Sequence, residues 1–457
     1  MTEEMMERYN KIIELLSERK FNKVRALLNE MNEVDIAEII DETTPEQAVL
    51  IFRLLPKELA AEAFAYMDVT TKKRLVEVIT DKELRLVMQE LFVDDVADML
   101  EEMPANVVKR MLKVATAEDR KDINRILQYP DDSAGSVLTT EFVDLKASMN
   151  VSEAFNYIRA FGPDKETIYT CYVTDNDRHL EGVITVKELL LAKSEDVVGN
   201  LMETNVISAK TTDDQEEVAG VFAKYDLIAL PVVDSENRLV GIITVDDIVD
   251  IMQQETTEDI EKMAAILPGD KPYFKTGVFE TFKNRIPWLL LLMISATFTG
   301  MIITSFEKAL AGSIILTAFI PMLMDTGGNS GSQSSVTIIR SLALGDVEPK
   351  NFLKVMCKEF LVALCCGTVL AAANFAKILL FDNLILKSGI SVSIALVVCI
   401  TLAITVILAK IIGCTLPLLA KKMGFDPAVM ASPFITTIVD AMSLFIYFKI
   451  ATAVLNI

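Results

Sequence analysis

The sequence predicts a multidomain membrane protein with an all-α superhelical N-terminal domain, a duplicated α/β pair, a connecting acidic helix and a five-helix transmembrane domain. Three observations predict it. From Trp288 onward, the 457-residue chain runs through five apolar stretches separated by short charged connections. Ahead of them, two segments of residues 131–250 repeat one another. The formal charge of -21 is unevenly placed, with a net -25 in residues 1–284 and +4 in residues 285–457, so an acidic half is joined to a weakly basic apolar one. We divide the chain into 1–130, helical; 131–250, the duplicated pair; 251–284, connecting helix and linker; and 285–457, the membrane domain. This length exceeds one ordinary domain. The acidity argues against nucleic acid, whose phosphates would be repelled. It suits a protein that handles cations.

Residues 1–130 are helical in pattern, because Val24, Leu27, Leu28 and Met31 share the spacing of one buried face. Val34-Asp-Ile-Ala-Glu-Ile-Ile-Asp-Glu echoes Val93-Asp-Asp-Val-Ala-Asp-Met-Leu-Glu-Glu, which suggests stacked helical pairs. In the next section, Val173-Thr-Asp-Asn-Asp-Arg-His-Leu-Glu-Gly-Val-Ile-Thr-Val matches Val232-Val-Asp-Ser-Glu-Asn-Arg-Leu-Val-Gly-Ile-Ile-Thr-Val. Gly182 and Thr185 fall on Gly241 and Thr244, and Lys146 and Glu153 on Lys210 and Glu217. Each copy reads as strand, polar turn, strand, helix. Residues 246–264 then read as one acidic helix leading to the membrane. Asp247, Asp250, Glu255, Glu258 and Asp259 include like charges three or four residues apart, which repel in an isolated helix. Solvation is the ordinary explanation of such a run, and a bound cation the sharper one.

The apolar stretches lie at about 288–306, 313–339, 355–381, 390–418 and 430–454, each long enough for a ~30 Å hydrocarbon layer. Lysines and arginines concentrate before the first, third and fifth, so the N-terminal half is expected in the cytoplasm and the C-terminus outside. The fifth stretch carries a lone carboxylate, Asp440. An Asp near a helix centre costs roughly 2.5–3.5 kcal/mol on insertion, and such residues usually face an aqueous cavity or an ion path. A neutral Asp, or one bonded to a neighbouring helix, is the alternative. In the second stretch, Ser313 to Met324 would rise only about 18 Å as helix, which places the polar Asp325–Ser335 segment at membrane depth. Gly327, Gly328 and Gly331 there permit close helix approach and expose carbonyls, while Asn329 and Gln333 offer amide oxygens. Glycine-mediated helix packing is the competing reading.

Other classes fit poorly. The acidic start, Met1-Thr-Glu-Glu, does not read as a signal peptide. The cysteines form no CxxC pair, and the single histidine, His179, falls in a polar turn and supports no His-rich metal site. No phosphate-binding loop or Asp-Lys-Thr-Gly motif supports an ATP-driven pump. The acids at 325 and 440 oppose an anion channel. Coupling to sodium or protons stays open, and no catalytic domain accompanies the duplicated pair.

That pair resembles a tandem CBS pair, in which two copies pack into one regulatory disc and often bind an adenosine nucleotide such as ATP through Gly-x-x-Thr-x-x-Asp. The pattern is clean in the second copy, Gly241 to Asp247, with Thr244 between them; the first has Glu188 at the acidic position. The resemblance implies one nucleotide site at most, at Thr244 and Asp247, and a ligand-free pair is equally open. Together with Leu127-Gln-Tyr-Pro-Asp-Asp-Ser-Ala-Gly-Ser, Pro321-Met-Leu-Met-Asp-Thr-Gly-Gly-Asn-Ser-Gly-Ser-Gln and Asp426-Pro-Ala-Val-Met-Ala-Ser-Pro-Phe-Ile-Thr-Thr-Ile-Val-Asp, it makes the whole chain similar to the MgtE family of bacterial magnesium channels. The resemblance implies a homodimer in the bacterial inner membrane with one central pore for Mg2+ uptake, and no enzymatic activity. High intracellular magnesium would close it through the cytosolic domains. By resemblance, Asp440 comes first in the pore, with Gly328, Asn329, Gln333 and Thr436 as further lining positions. Asp214, Glu216, Asp226, Asp247, Asp250, Glu255, Glu258 and Asp259 would hold regulatory ions, with Glu62, Asp94 and Asp98 as weaker matches. Magnesium keeps most of its waters and is bound through one or two carboxylates, so few ligands are needed.

Overall fold

The computed structural model describes residues 2–269, 271, 273–307, 314–430 and 432–455, so Lys308, Ser313 and Ala431 lie outside the described residues. The chain forms two compact units, Met1–Met252 and Gln253–Ile457.

In the first unit, ten short helices come first. They are α1 (Glu3–Ser17), α2 (Phe21–Leu28), α3 (Glu33–Asp41), α4 (Pro45–Leu54), α5 (Lys57–Ala65), α6 (Val69–Val78), α7 (Asp81–Met88), α8 (Val93–Glu102), α9 (Ala105–Val114) and α10 (Ala117–Ile126). Several begin at reciprocal caps: Thr44 with Gln47, Thr80 with Glu83, and Thr116 with Asp119. Each cap satisfies backbone donors that a helix start leaves open. Helices pack mainly on those two places along (α2 on α4, α3 on α5, α5 on α7, α8 on α10), which winds the stack into a superhelix. Arg110 fastens one joint. Its guanidinium donates to the carbonyl of Val76, to that of Ile79 at 2.6 Å and to Asp81 at 2.9 Å.

The duplicated pair follows, and its two sheets repeat one register. β1 (Asp144–Leu145) runs parallel to β2 (Thr170–Thr174), which pairs antiparallel with β3 (Leu180–Thr185). β4 (Ala209–Lys210), β5 (Ala229–Val233) and β6 (Leu239–Thr244) repeat the pattern. Gly182 faces Val173, and Gly241 faces Val232. The repeated glycine has a packing cause. A Cβ on Gly182 would lie 2.9 Å from the Glu203 carbonyl oxygen, and one on Gly241 2.4 Å from that of Thr139. These are the segments that bridge onto β3 and β6. A side chain would push each edge segment away. The pair also includes α11 (Val151–Phe161), α12 (Val186–Leu191), α13 (Val198–Leu201) and α14 (Gln215–Tyr225). α15 (Val245–Met263) is the expected acidic helix.

The second unit continues with α16 (Val278–Ser305), α17 (Ile320–Ala343), α18 (Phe352–Lys377), α19 (Val392–Lys422) and α20 (Ser432–Leu455). Among the described residues, four helical stretches are long and apolar enough to cross a membrane: Val278–Ser305, Pro349–Ile385, Val392–Lys422 and Pro427–Leu455. The remaining expected span, α17, has 24 residues and so a length of ~36 Å, but its polar residues keep it below that apolarity. α19 is the centre, packing on α17, α18 and α20. One expectation is corrected here. The glycines of α17 do not expose a run of carbonyls, because Ile320–Ala343 is unbroken helix and its carbonyls serve the helix. Close approach is their use. A Cβ on Gly413 of α19 would lie 2.2 Å from the Gly331 carbonyl oxygen, and one on Gly327 2.7 Å from Thr405 Cγ2.

Candidate ion sites

α17 has two faces. Gly327, Gly328, Ser330, Gly331, Ser334 and Ser335 are buried against other helices, whereas Asp325, Asn329 and Gln333 are exposed at every fourth position. Gly328 lets α20 come close, since its Cβ position is 3.0 Å from Thr436 Cγ2. Thr436 turns its hydroxyl back to the Pro433 carbonyl at 2.9 Å. One turn on from Thr436, Asp440 is half-buried and accepts no hydrogen bond from a described residue. Asp325 and Asp440 lie near enough for their charges to repel. The structure thus brings Asp440, Thr436 and Gly328 together, with Asn329 and Gln333 along the exposed stripe that Asp325 begins.

Two buried charged residues inside the expected apolar stretches escaped the sequence reading. Glu359 of α18 is 9% exposed, and Ser334 Oγ donates to its Oε2 at 2.7 Å. Lys410 of α19 is 5% exposed. Both fall inside apolar stretches, so the rule that singles out Asp440 applied to them equally.

In the first unit, carboxylates from four segments converge. Asp94 and Asp95 open α8, Asp246 and Asp247 open α15, Glu141 precedes β1, and Glu166 follows the turn Gly162–Asp164. Helix N-termini carry partial positive charge that offsets some of the repulsion. The rest appears as shifted titration. Glu166 is pushed up to about 8, first by burial and then by Asp246, Asp247, Asp95 and Glu141. Asp247 rises to about 6, again mainly by burial, although Thr244 Oγ1 donates to its Oδ2 at 2.7 Å. Asp94 is raised well above the usual range by burial, then by Asp247, Asp95 and Glu166. Asp95 is raised by desolvation despite an accessible edge, which places it at the mouth of the cluster and Asp94 inside. Asp94 Oδ1 and Glu166 Oε2 are shielded from solvent without a hydrogen-bond partner among the described residues. Unpartnered buried oxygens among like charges suit a cation's surroundings. Of this group, the sequence pointed to Asp94 and Asp247 only.

A third group lies in the second unit. Asp259 is raised to about 6, first by burial and then by Asp426, with Glu255 and Glu258 contributing. The other expected regulatory positions are dispersed. Asp214 caps α14 by accepting the Glu216 amide at 2.9 Å, and Asp226 ends that helix at φ 51°. Glu216, Asp250 and Asp98 are exposed, as is Glu62, which is raised by partial desolvation and then by Glu33 and Glu58. Among the described residues, three ligand atoms within 4.8 Å of one another occur only at Asp175, Asp177 and His179.

Comparison with known proteins places these features. Family models match three parts of the chain: the MgtE intracellular N domain at 31–132, CBS domains at 134–195 and 198–254, and the MgtE divalent cation transporter domain at 320–450. The magnesium transporter MgtE of Thermus thermophilus is 34% identical over 97% of each chain. That of Bacillus subtilis is 33% identical over 92% of this chain and 94% of its own. A crystal structure of the cytosolic domain of the Mg2+ channel MgtE in complex with ATP, 34% identical, superposes with a TM-score of 0.51 and covers 53% of this chain and 99% of that one. By near-complete alignment with such relatives, this chain belongs to the MgtE family of divalent cation transporters.

Proposed function

We propose that the chain is a magnesium-selective channel that takes up Mg2+ across the bacterial inner membrane as a homodimer and closes when intracellular Mg2+ binds its acidic domains. The observation that carries the reading is the stripe of Asp325, Asn329 and Gln333, exposed on a membrane helix beside a half-buried Asp440 without a hydrogen-bond partner among the described residues. Against lipid such a stripe is costly. A second copy facing it across water removes that cost, and two Asp440 carboxylates then meet a hydrated dication. Gly328 and Thr436 set the helix spacing there, and Asn329 and Gln333 line the approach.

Regulation rests on the carboxylate groups. Asp94, Asp95, Glu166, Asp246 and Asp247 form one site, and Glu255, Glu258 and Asp259 another; Asp214, Glu216, Asp226, Asp250, Glu62 and Asp98 act at the periphery. Unit charges 4 Å apart repel by about 4 kcal/mol at an effective dielectric of 20, and moving an equilibrium from 1:99 to 99:1 takes roughly 5.5 kcal/mol. A few weakly held ions suffice. Thr244 and Asp247 are also the proposed nucleotide contacts, supported by the ATP in the related cytosolic domain. The division at 130, 250 and 284 and the placement of the C-terminus outside belong to the same proposal, supported by the basic connections before α16, α18 and α20. Purified protein in liposomes should conduct Mg2+ when internal Mg2+ is low and stop as it rises. Flux indifferent to internal Mg2+ would defeat the gating reading, and absence of flux the channel itself.

A further inference from the structure

The acidic helix α15 ends in a feature that its carboxylates do not explain. Lys262 Nζ lies 2.6 Å from Glu258 Oε1 and 2.7 Å from Asp426 Oδ2, with its side chain 23% exposed. Asp426 is fixed in place, since its Oδ1 accepts the Ala428 amide at 2.7 Å. The next residue, Met263, packs against Ile339 of α17 and Ala428. One ionic and one apolar contact, from consecutive residues about 100° apart around the helix, therefore dock the end of α15 on the turn before α20.

We propose that Lys262 is a built-in cation with two opposed effects: it docks the end of α15 in the absence of metal, and it competes with a divalent cation for Glu258 and Asp426. The second effect rests on the reading of the acidic helix as a regulatory cation site; the first does not. Competition follows from charge and space. The ammonium already engages both carboxylates, and a dication settling among Glu258, Asp259 and Asp426 must displace it. Because the lysine is attached to the same helix as Glu258, its local concentration is high, and a metal of modest affinity meets a persistent rival. Partial burial adds to that rivalry, since the ion pairs are not fully screened by water. The lysine would thereby set the magnesium concentration at which this end of the helix responds.

Hydrogen exchange of the full-length protein tests both effects through the peptide covering residues 255–266, with Mg2+ titrated from zero. Without Mg2+, Lys262→Met is expected to speed exchange about tenfold, because a docking contact is lost. On titration, its protection should reach midpoint at an Mg2+ concentration about threefold lower or more, because a competitor is gone. Asp426→Asn supplies the contrast: it also loosens the peptide at zero Mg2+, but its midpoint should rise, since a carboxylate is gone. Unchanged exchange at zero Mg2+ in Lys262→Met would overturn the docking role. A midpoint unmoved or raised in Lys262→Met, or moving the same way in both variants, would overturn the competition. If the wild-type peptide ignores Mg2+ altogether, the regulatory reading of α15 fails and the competition falls with it. The zero-Mg2+ comparison still decides the docking role.

Discussion

Glu166→Gln is the most direct probe of the acidic cluster, because it removes one charge and keeps the shape. Glu166 is held at about 8 against an ordinary 4.5, chiefly by burial and then by the neighbouring acids. A carboxyl raised on folding binds its proton more tightly in the folded state. Its contribution is therefore fully present below 4.5 and lost as pH rises through about 8. At 1.36 kcal/mol for each tenfold change, the rise from 4.5 to about 8 caps the effect near ~5 kcal/mol. Solvent reaches part of the side chain, so we reduce that to ~2 kcal/mol. Without divalent ions, Glu166→Gln should stabilise the folded state by about 2 kcal/mol more near pH 8 than near pH 5.

Urea unfolding of residues 1–252 checks this, the corresponding part of a relative having been crystallised by itself. The mutant-minus-wild-type difference cancels the titration of groups remote from Glu166, while the coupled acids Asp94 and Asp247 are part of what it reads. Millimolar MgCl2 at the higher pH should stabilise wild type more than the mutant, since the ion relieves a repulsion the mutant lacks. Equal mutational differences at both pH values would refute the burial argument. Equal stabilisation by MgCl2 in both proteins would remove Glu166 from the cation's surroundings.

Three other outcomes are expected. Asp440→Asn, which keeps shape and removes charge, should cut Mg2+ flux into liposomes by roughly tenfold or more without lowering expression; normal selective flux would exclude Asp440 from the path. Arg110→Ala should cost about 1–3 kcal/mol in urea unfolding, since the Val76 and Ile79 carbonyls lose a charged donor; an unchanged midpoint would mean that water replaces it freely. Gly413→Ala should lower the melting temperature of the detergent-solubilised protein, by a loss of about 1–3 kcal/mol or more, because the new methyl meets the Gly331 backbone rather than a movable side chain; retained stability would show that α17 and α19 can part without penalty.

How much could be read from the sequence depended on the local solvent. In a membrane stretch the surroundings are apolar by construction, so Asp440 stands out, and Glu359 and Lys410 could have been found by the same reasoning. The duplicated pair was legible because each copy must repeat the same glycine to admit an edge segment, at Gly182 and Gly241. Glu166 had no such contrast. It lies in an acidic half where one more carboxylate breaks no pattern, and its significance comes only from a fold that brings residues 94, 141, 166 and 247 together. The tether at Lys262 was hidden for a related reason. A lysine four residues after a glutamate reads as an ordinary surface pair on a helix, and its second partner, Asp426, is 164 positions away.

The spacing of the acidic groups bears on what kind of sensor they can form. Three carboxylates converging directly on a dication would give a tight site, filled at any physiological Mg2+ level and useless for measuring it. Among the described residues, the one set of ligand atoms that close is the exposed turn Asp175, Asp177 and His179, outside the buried clusters. No buried set of three among the described residues meets that spacing, which on the proposed reading suits an Mg2+ that keeps part of its water. Affinity per ion is then low, and the energy needed to shift the conformation has to come from several ions acting together. On the proposed reading, the acidity of the N-terminal half follows from that requirement. A weak-binding sensor needs many carboxylates, and their mutual repulsion in the absence of metal favours the open state.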